Sequence, residues 1–205
     1  MTREDRKKLT SLRKALPVLT RSLIKPYRYK SIDGIVWTAQ NDMLFTLDPS
    51  IAHPLGEEQF YFKVRCGAKP LFADQLLWDI LDLEEAKAAP MSLRVNGAFA
   101  LFEVPAYEEL RPLERLEPET VSPLAEEALV RFSQFLNGLR GKEMEWFREL
   151  EAKQERYAHM DVMRPLLMIH DGKRDEALAY VASRNISDFI AHRKPVGTLI
   201  GEYCL

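Results

Sequence analysis

Apolar and polar residues alternate along one stretch of the chain, from Tyr27 to Cys66, whereas elsewhere the apolar residues recur at helical spacing. Two turn signals divide the first part of this stretch. They are Asp33-Gly34 and Gln40-Asn41-Asp42, and they separate the runs Tyr27–Ser31, Ile35–Ala39 and Met43–Leu47. Asp-Gly supplies the positive φ that two-residue hairpin turns need, and Asn or Asp tolerates it next best. The pattern predicts an antiparallel meander.

The next run, residues 59–66, has the clearest period of two. One side carries Phe60, Phe62, Val64 and Cys66, and the other carries Tyr61, Lys63 and Arg65. This arrangement is typical of a strand with one face on a core. We therefore expect the polar face to meet solvent or a ligand.

Proline and glycine positions predict the loops around these strands. Residues 48–56 hold two prolines and one glycine, which argue against a continuing central strand. A second hairpin is predicted over residues 92–102, because Asn96-Gly97 lies between apolar runs. With this hairpin the sheet has about five or six strands, and the fold class is α+β.

Helical patterns flank the predicted sheet. Thr2 is a candidate N-cap for a leading helix with a leucine stripe, in which Pro17 marks either a kink or the meeting of two helices. A covering helix is predicted over residues 73–83, and a further helix starts at Ser122-Pro123. The predicted organisation is a sheet domain at 1–104, a Pro- and Glu-rich connector at 105–121, and a helical region at 122–205 packed on the first part.

Composition and charge narrow the class of protein. The chain has 205 residues, 46% hydrophobic and 29% charged, which is ordinary for a globular protein. A formal charge of −2 neither recruits nor repels nucleic acid, so a nucleic-acid partner is not expected. The charged N-terminus lacks the apolar run of a signal peptide and no stretch suits a membrane span. Two distant cysteines fit a reduced, cytoplasmic protein.

The sequence contains none of the catalytic or cofactor-binding motifs considered. There is no Gly-x-Ser-x-Gly elbow and no glycine-rich phosphate loop, so no catalytic residue and no cofactor is predicted. His159, Asp161, His170 and Asp171 do not have the spacing of a metal site on one helix face. No metal ligand is therefore predicted among them.

One metal-dependent alternative remains open. Restriction-type nucleases need an acid on one strand and an acid-x-Lys on the next, because two carboxylates bind the metal while the lysine orients water. Asp48 followed by residues 61–63 has this order, but Tyr61 occupies the acid position. A hydrolase or nuclease using the Asp48–His53 loop is the alternative function.

The preferred hypothesis is a binding protein with an aromatic and basic sheet face. Tyr and Arg are enriched at the hot spots of protein interfaces, so another protein is the expected partner. The candidate binding residues are Tyr29, Trp37, His53, Tyr61, Lys63 and Arg65. Whether helices cover this face stays open at the level of sequence.

The motif Arg28-Tyr29-Lys30, the Asp-Gly turn, Gln40 and residues 60–64 together resemble a group of bacterial domains of unknown function. The resemblance covers about residues 9–104 and includes a leading helix and a meander. It implies an α+β fold in a bacterial protein. Because those domains have no assigned activity, it implies little about function.

Overall fold

The computed structural model describes residues 2–96, 100–153, 160–184, 186, 190–191 and 194–205. Within these ranges the helices are α1 (Arg3–Leu23), α2 (Leu71–Ile80), α3 (Glu84–Lys87), α4 (Ser92–Asn96), α5 (Pro118–Leu139), α6 (Glu143–Lys153), α7 (Met160–His170), α8 (Arg174–Ser183) and α9 (Val196–Cys204). The strands are β1 (Lys30–Ile32), β2 (Ile35–Gln40), β3 (Met43–Ala52), β4 (Phe60–Pro70), β5 (Val104–Leu113), β6 (Ile190–Ala191) and β7 (Lys194–Pro195). This confirms the α+β class.

The main sheet is an antiparallel meander whose five strands follow one another in the order β1-β2-β3-β4-β5. Both early turns form where they were predicted. Asp33 and Gly34 have φ of 51° and 91°, and Asn41 and Asp42 have φ of 46° and 61°. These positive values suit the right-handed twist of the flanking strands. Trp37 lies opposite Lys30 on one side and opposite Thr46 on the other.

Strand β3 is longer than the sequence predicted. Residues 48–52, predicted as the start of a loop, continue β3 through Pro49 as far as Ala52. The pairing of β3 with β2 ends at Leu47, so Pro49 lies beyond the end of that neighbour. Because β2 does not continue beside Pro49, the N–H that proline lacks costs no hydrogen bond to that strand. The position is in this respect like one on an edge strand, where proline is tolerated.

The second predicted hairpin is wrong. Residues 92–96 form the helix α4, and the fifth strand comes later, at Val104–Leu113. The side chain of Lys69 donates to the carbonyl oxygens of Arg94 and Leu101, so these backbone groups bond to a side chain and not to a partner strand. The predicted turn residue Gly97 lies outside the described residues.

The predicted connector at 105–121 holds regular structure. It contains most of β5 and the first turn of α5, which begins at Pro118 and not at Ser122. Proline is favoured at the first helical position because its missing N–H has no partner there. Residues 105–121 are therefore not an irregular linker.

The leading helix α1 forms as predicted, as one helix through Pro17. Thr2 and Asp5 make a capping box, in which the Thr2 hydroxyl accepts from the Asp5 N–H at 3.1 Å and the Thr2 N–H donates to the Asp5 carboxylate at 2.9 Å. These bonds satisfy backbone donors that a helix start leaves free. α1 ends at Leu23, before the Lys25-Pro26 pair.

The chain forms two compact units, each built from two stretches. The first unit comprises residues 1–68 and 105–143, and the second comprises residues 69–104 and 144–205. The first core holds Leu12, Leu16, Phe45, Phe62, Val64, Leu129 and Phe132. The second core holds Leu77, Trp78, Phe147, Leu166, Leu167, Ala177 and Ile200. No helix in the described part of the chain has the length and apolar character to cross a membrane.

Candidate functional site

The polar side of β4 and its neighbours on β3 and β5 form an exposed surface in the first unit. We call it the outer face, and it consists of Asp48, Tyr61, Lys63, Arg65, Glu108 and Leu110. The alternation predicted for β4 is present, because Phe62 and Val64 are buried while Arg65 is exposed. A strand places successive side chains on opposite faces, so one sequence supplies both the core and this surface.

Two ion pairs join the strands across the outer face. The Lys63 ammonium lies 2.8 Å from the Glu108 carboxylate on β5, and the Arg65 guanidinium lies 3.6 Å from the Asp48 carboxylate on β3. Each cation is therefore matched by an anion from the neighbouring strand. All four side chains keep between 32% and 44% of their surface exposed, so water screens both pairs.

Two outer-face groups have pKa values shifted by their surroundings. Burial raises the pKa of Asp48, and the nearby charges of Arg65 and Lys63 oppose this rise. A hydrogen bond to the Glu57 carboxylate raises the pKa of Tyr61, so its phenol stays neutral at physiological pH. Tyr61 thus presents a neutral aromatic ring beside a paired set of charges.

Trp37 does not belong to the exposed part of the sheet. Its side chain is 6% exposed, and the Lys30 ammonium lies 5.0 Å from the ring centroid in a cation–π contact. Thr46, opposite Trp37 in the register, and Leu44 are also buried. The accessible surface is therefore the part of the sheet formed by β4, β5 and the Asp48 end of β3.

Tyr29 lies on the other side of the sheet. Its ring stacks on Tyr27 at 5.5 Å and meets Phe132 of α5 edge-on at 5.4 Å. Helix α5 covers the sheet side that carries Phe62 and Val64, because its residues share a small cavity with theirs. The structure therefore separates Tyr29 from Tyr61.

His53 is also apart from the outer face. Its ring packs against Phe60 with ring centroids 4.5 Å apart. Phe60 alternates with Tyr61 along β4, so this contact belongs to the inner side of the strand. Of the six predicted binding residues, the structure brings together Tyr61, Lys63 and Arg65.

The metal-dependent alternative gains no ligand cluster. Among the residues described, no three or more His, Cys, Asp or Glu side chains gather as a metal site would require. The Asp48 carboxylate faces the cation of Arg65, and the His170 ring stacks on Phe72 at 3.6 Å. His159 lies outside the described residues. A hydrolase or nuclease function stays a prediction.

Glu108 and Leu110 are outer-face residues that the sequence analysis missed. The cause is the composition of β5, in which both faces are polar. Glu109 and Arg111 point to the inner side, where the Arg111 guanidinium binds the Glu127 carboxylate of α5 with two bonds of 2.7 Å. The sequence signal that could have identified them lies between two prolines. There Glu108 and Leu110 alternate with Glu109 and Arg111, as side chains on opposite faces of a strand do.

Comparison with known protein families, curated proteins and solved structures gives no match to this chain. The resemblance to bacterial domains of unknown function remains an expectation. The fold defines an α+β protein with a five-stranded antiparallel meander. Its function has to be inferred from the geometry of its own residues.

Proposed function

We propose that this chain binds another protein through its outer face. The observation that carries the proposal is an exposed sheet surface whose charges are already matched within it, beside the aliphatic side chain of Leu110, which is 49% exposed. Such a surface combines an apolar anchor with oriented polar groups. Protein interfaces likewise surround an apolar centre with a polar rim.

The paired charges favour a protein over a polyanion as the partner of this face. A phosphate backbone approaching Lys63 or Arg65 would also meet Glu108 or Asp48, so attraction and repulsion cancel. A protein surface can place its own charges against both signs. Complementary charges at an interface give specificity and a faster association rate more than raw affinity.

The face, and not the free edge of β5, is the surface we assign to the partner. β5 stands at the end of the strand order, so its outer edge has no neighbouring strand in the described sheet. Pro105 and Pro112 lie near its two ends, and Glu108 and Arg111 lie between them. Prolines and charges on an edge strand oppose the addition of a further strand.

Site-specific photo-cross-linking tests the proposal. A photoreactive amino acid replaces Leu110 in one protein and Val130, an exposed residue of α5, in the matched control. We expect position 110 to give a discrete adduct with a partner protein in cell extract and position 130 to give none. The charge reversal Arg65→Glu should abolish the adduct without unfolding the chain.

Four outcomes are informative. An adduct at 110 that disappears with Arg65→Glu supports a partner on the outer face. An adduct whose mass is that of two copies of this chain identifies the partner as a second copy. Equal adducts at positions 110 and 130, or an adduct that persists with Arg65→Glu, would contradict the proposal.

A further inference from the structure

The basic residues of this chain are concentrated near its start. Residues 6–32 contain nine Lys and Arg residues and no Asp or Glu. The other 178 residues carry 20 basic and 31 acidic side chains, a formal charge of −11. The whole-chain charge of −2 conceals this separation, because the two regions nearly cancel.

Helix α1 presents five cations on the side away from its buried stripe. Leu9, Leu12 and Leu16 are buried. The cations Arg3, Arg6, Lys7, Lys14 and Arg21 are all exposed. An α-helix turns by about 100° per residue, so positions 3, 7, 14 and 21 fall within about 40° of one another and away from the leucines. We call these five cations the basic face.

The basic face has no carboxylate bound to it in the part of the chain that the structure describes. The N-terminal half of this face borders a shallow groove that has no acidic residue in its lining. The groove is lined by Arg3, Arg6, Lys7, Thr10, Ser11 and Lys14. Two neighbouring cations that are not part of the basic face have partners within the protein. Lys8 pairs with Glu4 at 3.0 Å, and Arg13 donates to the carbonyl oxygen of Ile51 at 2.9 Å.

We propose that the basic face binds the phosphate backbone of double-stranded nucleic acid without reading its sequence. At a rise of about 1.5 Å per residue, Arg3 and Arg21 lie about 27 Å apart along the axis. Along the axis of a duplex this length corresponds to about eight base pairs at about 3.4 Å each. Lysine and arginine clustered along one helix are the usual electrostatic footprint of such binding.

Other polyanionic partners fit the same face less well. A helix that rests on a membrane needs an apolar face for the lipid, whereas the leucine stripe of α1 lies in the protein core. Val18, 70% exposed, is the large apolar side chain that α1 leaves accessible. Protein interfaces are depleted in lysine and need an apolar centre, which the basic face lacks.

Fluorescence anisotropy with a labelled duplex of about 20 base pairs tests the inference at two salt concentrations, about 50 and 200 mM. The test variant carries Lys7→Glu, Lys14→Glu and Arg21→Glu. The control carries Lys142→Glu, Lys153→Glu and Lys173→Glu, three exposed lysines outside α1, and has the same net charge. Circular dichroism verifies that both variants stay folded.

We expect wild type to bind duplexes of unrelated sequence equally and to lose affinity steeply with salt. In the control, the slope of log K against log salt should stay at the wild-type value, whereas in the test variant it should fall in magnitude by about three. If wild type did not bind the duplex, or if the test and control variants lost duplex affinity equally, the inference would be overturned. Binding to vesicles of anionic phospholipid without binding to duplex would also overturn it. The inference does not depend on the outer face. The Arg65→Glu variant should therefore bind the duplex as wild type does.

Discussion

The ammonium of Lys69 lies 3.0 Å from the carboxylate of Asp74, and both side chains are fully buried. The same ammonium donates to the carbonyl oxygens of Leu101 and Arg94 at 2.5 and 2.6 Å, which uses all three of its donors. The Leu101 N–H in turn donates to Asp74 at 2.8 Å. The pair therefore joins the end of β4 and the start of α2 to the segment around residues 94–101.

Removing the cation of this pair should destabilise the protein strongly. Lys69→Met leaves Asp74 buried without its counter-charge, a change that typically costs about 3–5 kcal/mol. The double variant Lys69→Met with Asp74→Leu removes both charges and should recover part of the loss. Urea unfolding followed by circular dichroism measures both. A single variant as stable as wild type would show that the pair does not hold this segment.

The stability of the Lys69→Met variant should also depend more strongly on pH than that of wild type. Burial already raises the pKa of Asp74, and the charge of Lys69 opposes that rise. Without the lysine the folded pKa rises further above the unfolded value, so the folded state binds the proton more tightly. The free energy of unfolding should then fall as pH increases from about 4 through the folded pKa. A variant whose stability does not change with pH over this range would contradict the assigned burial.

Two glycine-to-alanine variants should change stability in opposite directions. Gly34 has φ of 91°, and a Cβ there would lie 3.3 Å from the Pro17 side chain, so Gly34→Ala should cost more than about 1 kcal/mol. Gly138 lies inside α5 with open space around it, so Gly138→Ala should stabilise by about 0.5–1 kcal/mol. Thermal unfolding of the two variants measures both changes. Equal effects would refute the turn geometry.

The two cysteines should differ in reactivity. Burial raises the pKa of both thiols, that of Cys66 to about 12, so the Cys66 thiolate is scarce at pH 8, whereas Cys204 is only half-buried and stays accessible to a reagent. A thiol reagent should therefore label one cysteine quickly in the native protein and two after denaturation. Cys204→Ser should remove the fast phase. Rapid labelling of native Cys204→Ser would contradict the burial of Cys66.

Breaking an outer-face ion pair should scarcely affect stability. Lys63 and Glu108 are both partly exposed, and exposed pairs contribute about 0–1 kcal/mol. The free energy of unfolding of Lys63→Ala should therefore lie within about 1 kcal/mol of the wild-type value, whereas that of Lys69→Met should be much lower. Urea midpoints of the two variants compare them directly. A large loss with Lys63→Ala would mean that the outer face is part of the core and not a surface.

The elements that sequence predicted are those whose signals are local. The Thr2–Asp5 capping box, the Asp33-Gly34 turn and the alternation of β4 each depend on residues within a few positions of one another. The α4 segment could not be predicted in this way. Its Arg94 carbonyl oxygen accepts from Lys69, which is 25 residues away in the chain, whereas Asn96-Gly97 alone indicates a hairpin.

The alternation of β4 predicted which of its residues share a face, and their role in binding stays a prediction. Tyr61, Lys63 and Arg65 share one face because they alternate on a single strand. Tyr29 and Trp37 were grouped with them by residue type, but their placement depends on α5 and on the register of β2, which the sequence does not specify. Net charge alone does not indicate the basic face, because it sums over the chain and loses the positions of the cations.

Partner affinity after substitution on the outer face tests the central claim most directly. The partner identified by cross-linking at position 110 is titrated against wild type, Arg65→Glu/Leu110→Asp and the control Val130→Asp. We predict that the outer-face variant loses affinity by about tenfold or more while the control binds like wild type. Equal affinity of all three proteins would contradict binding through the outer face.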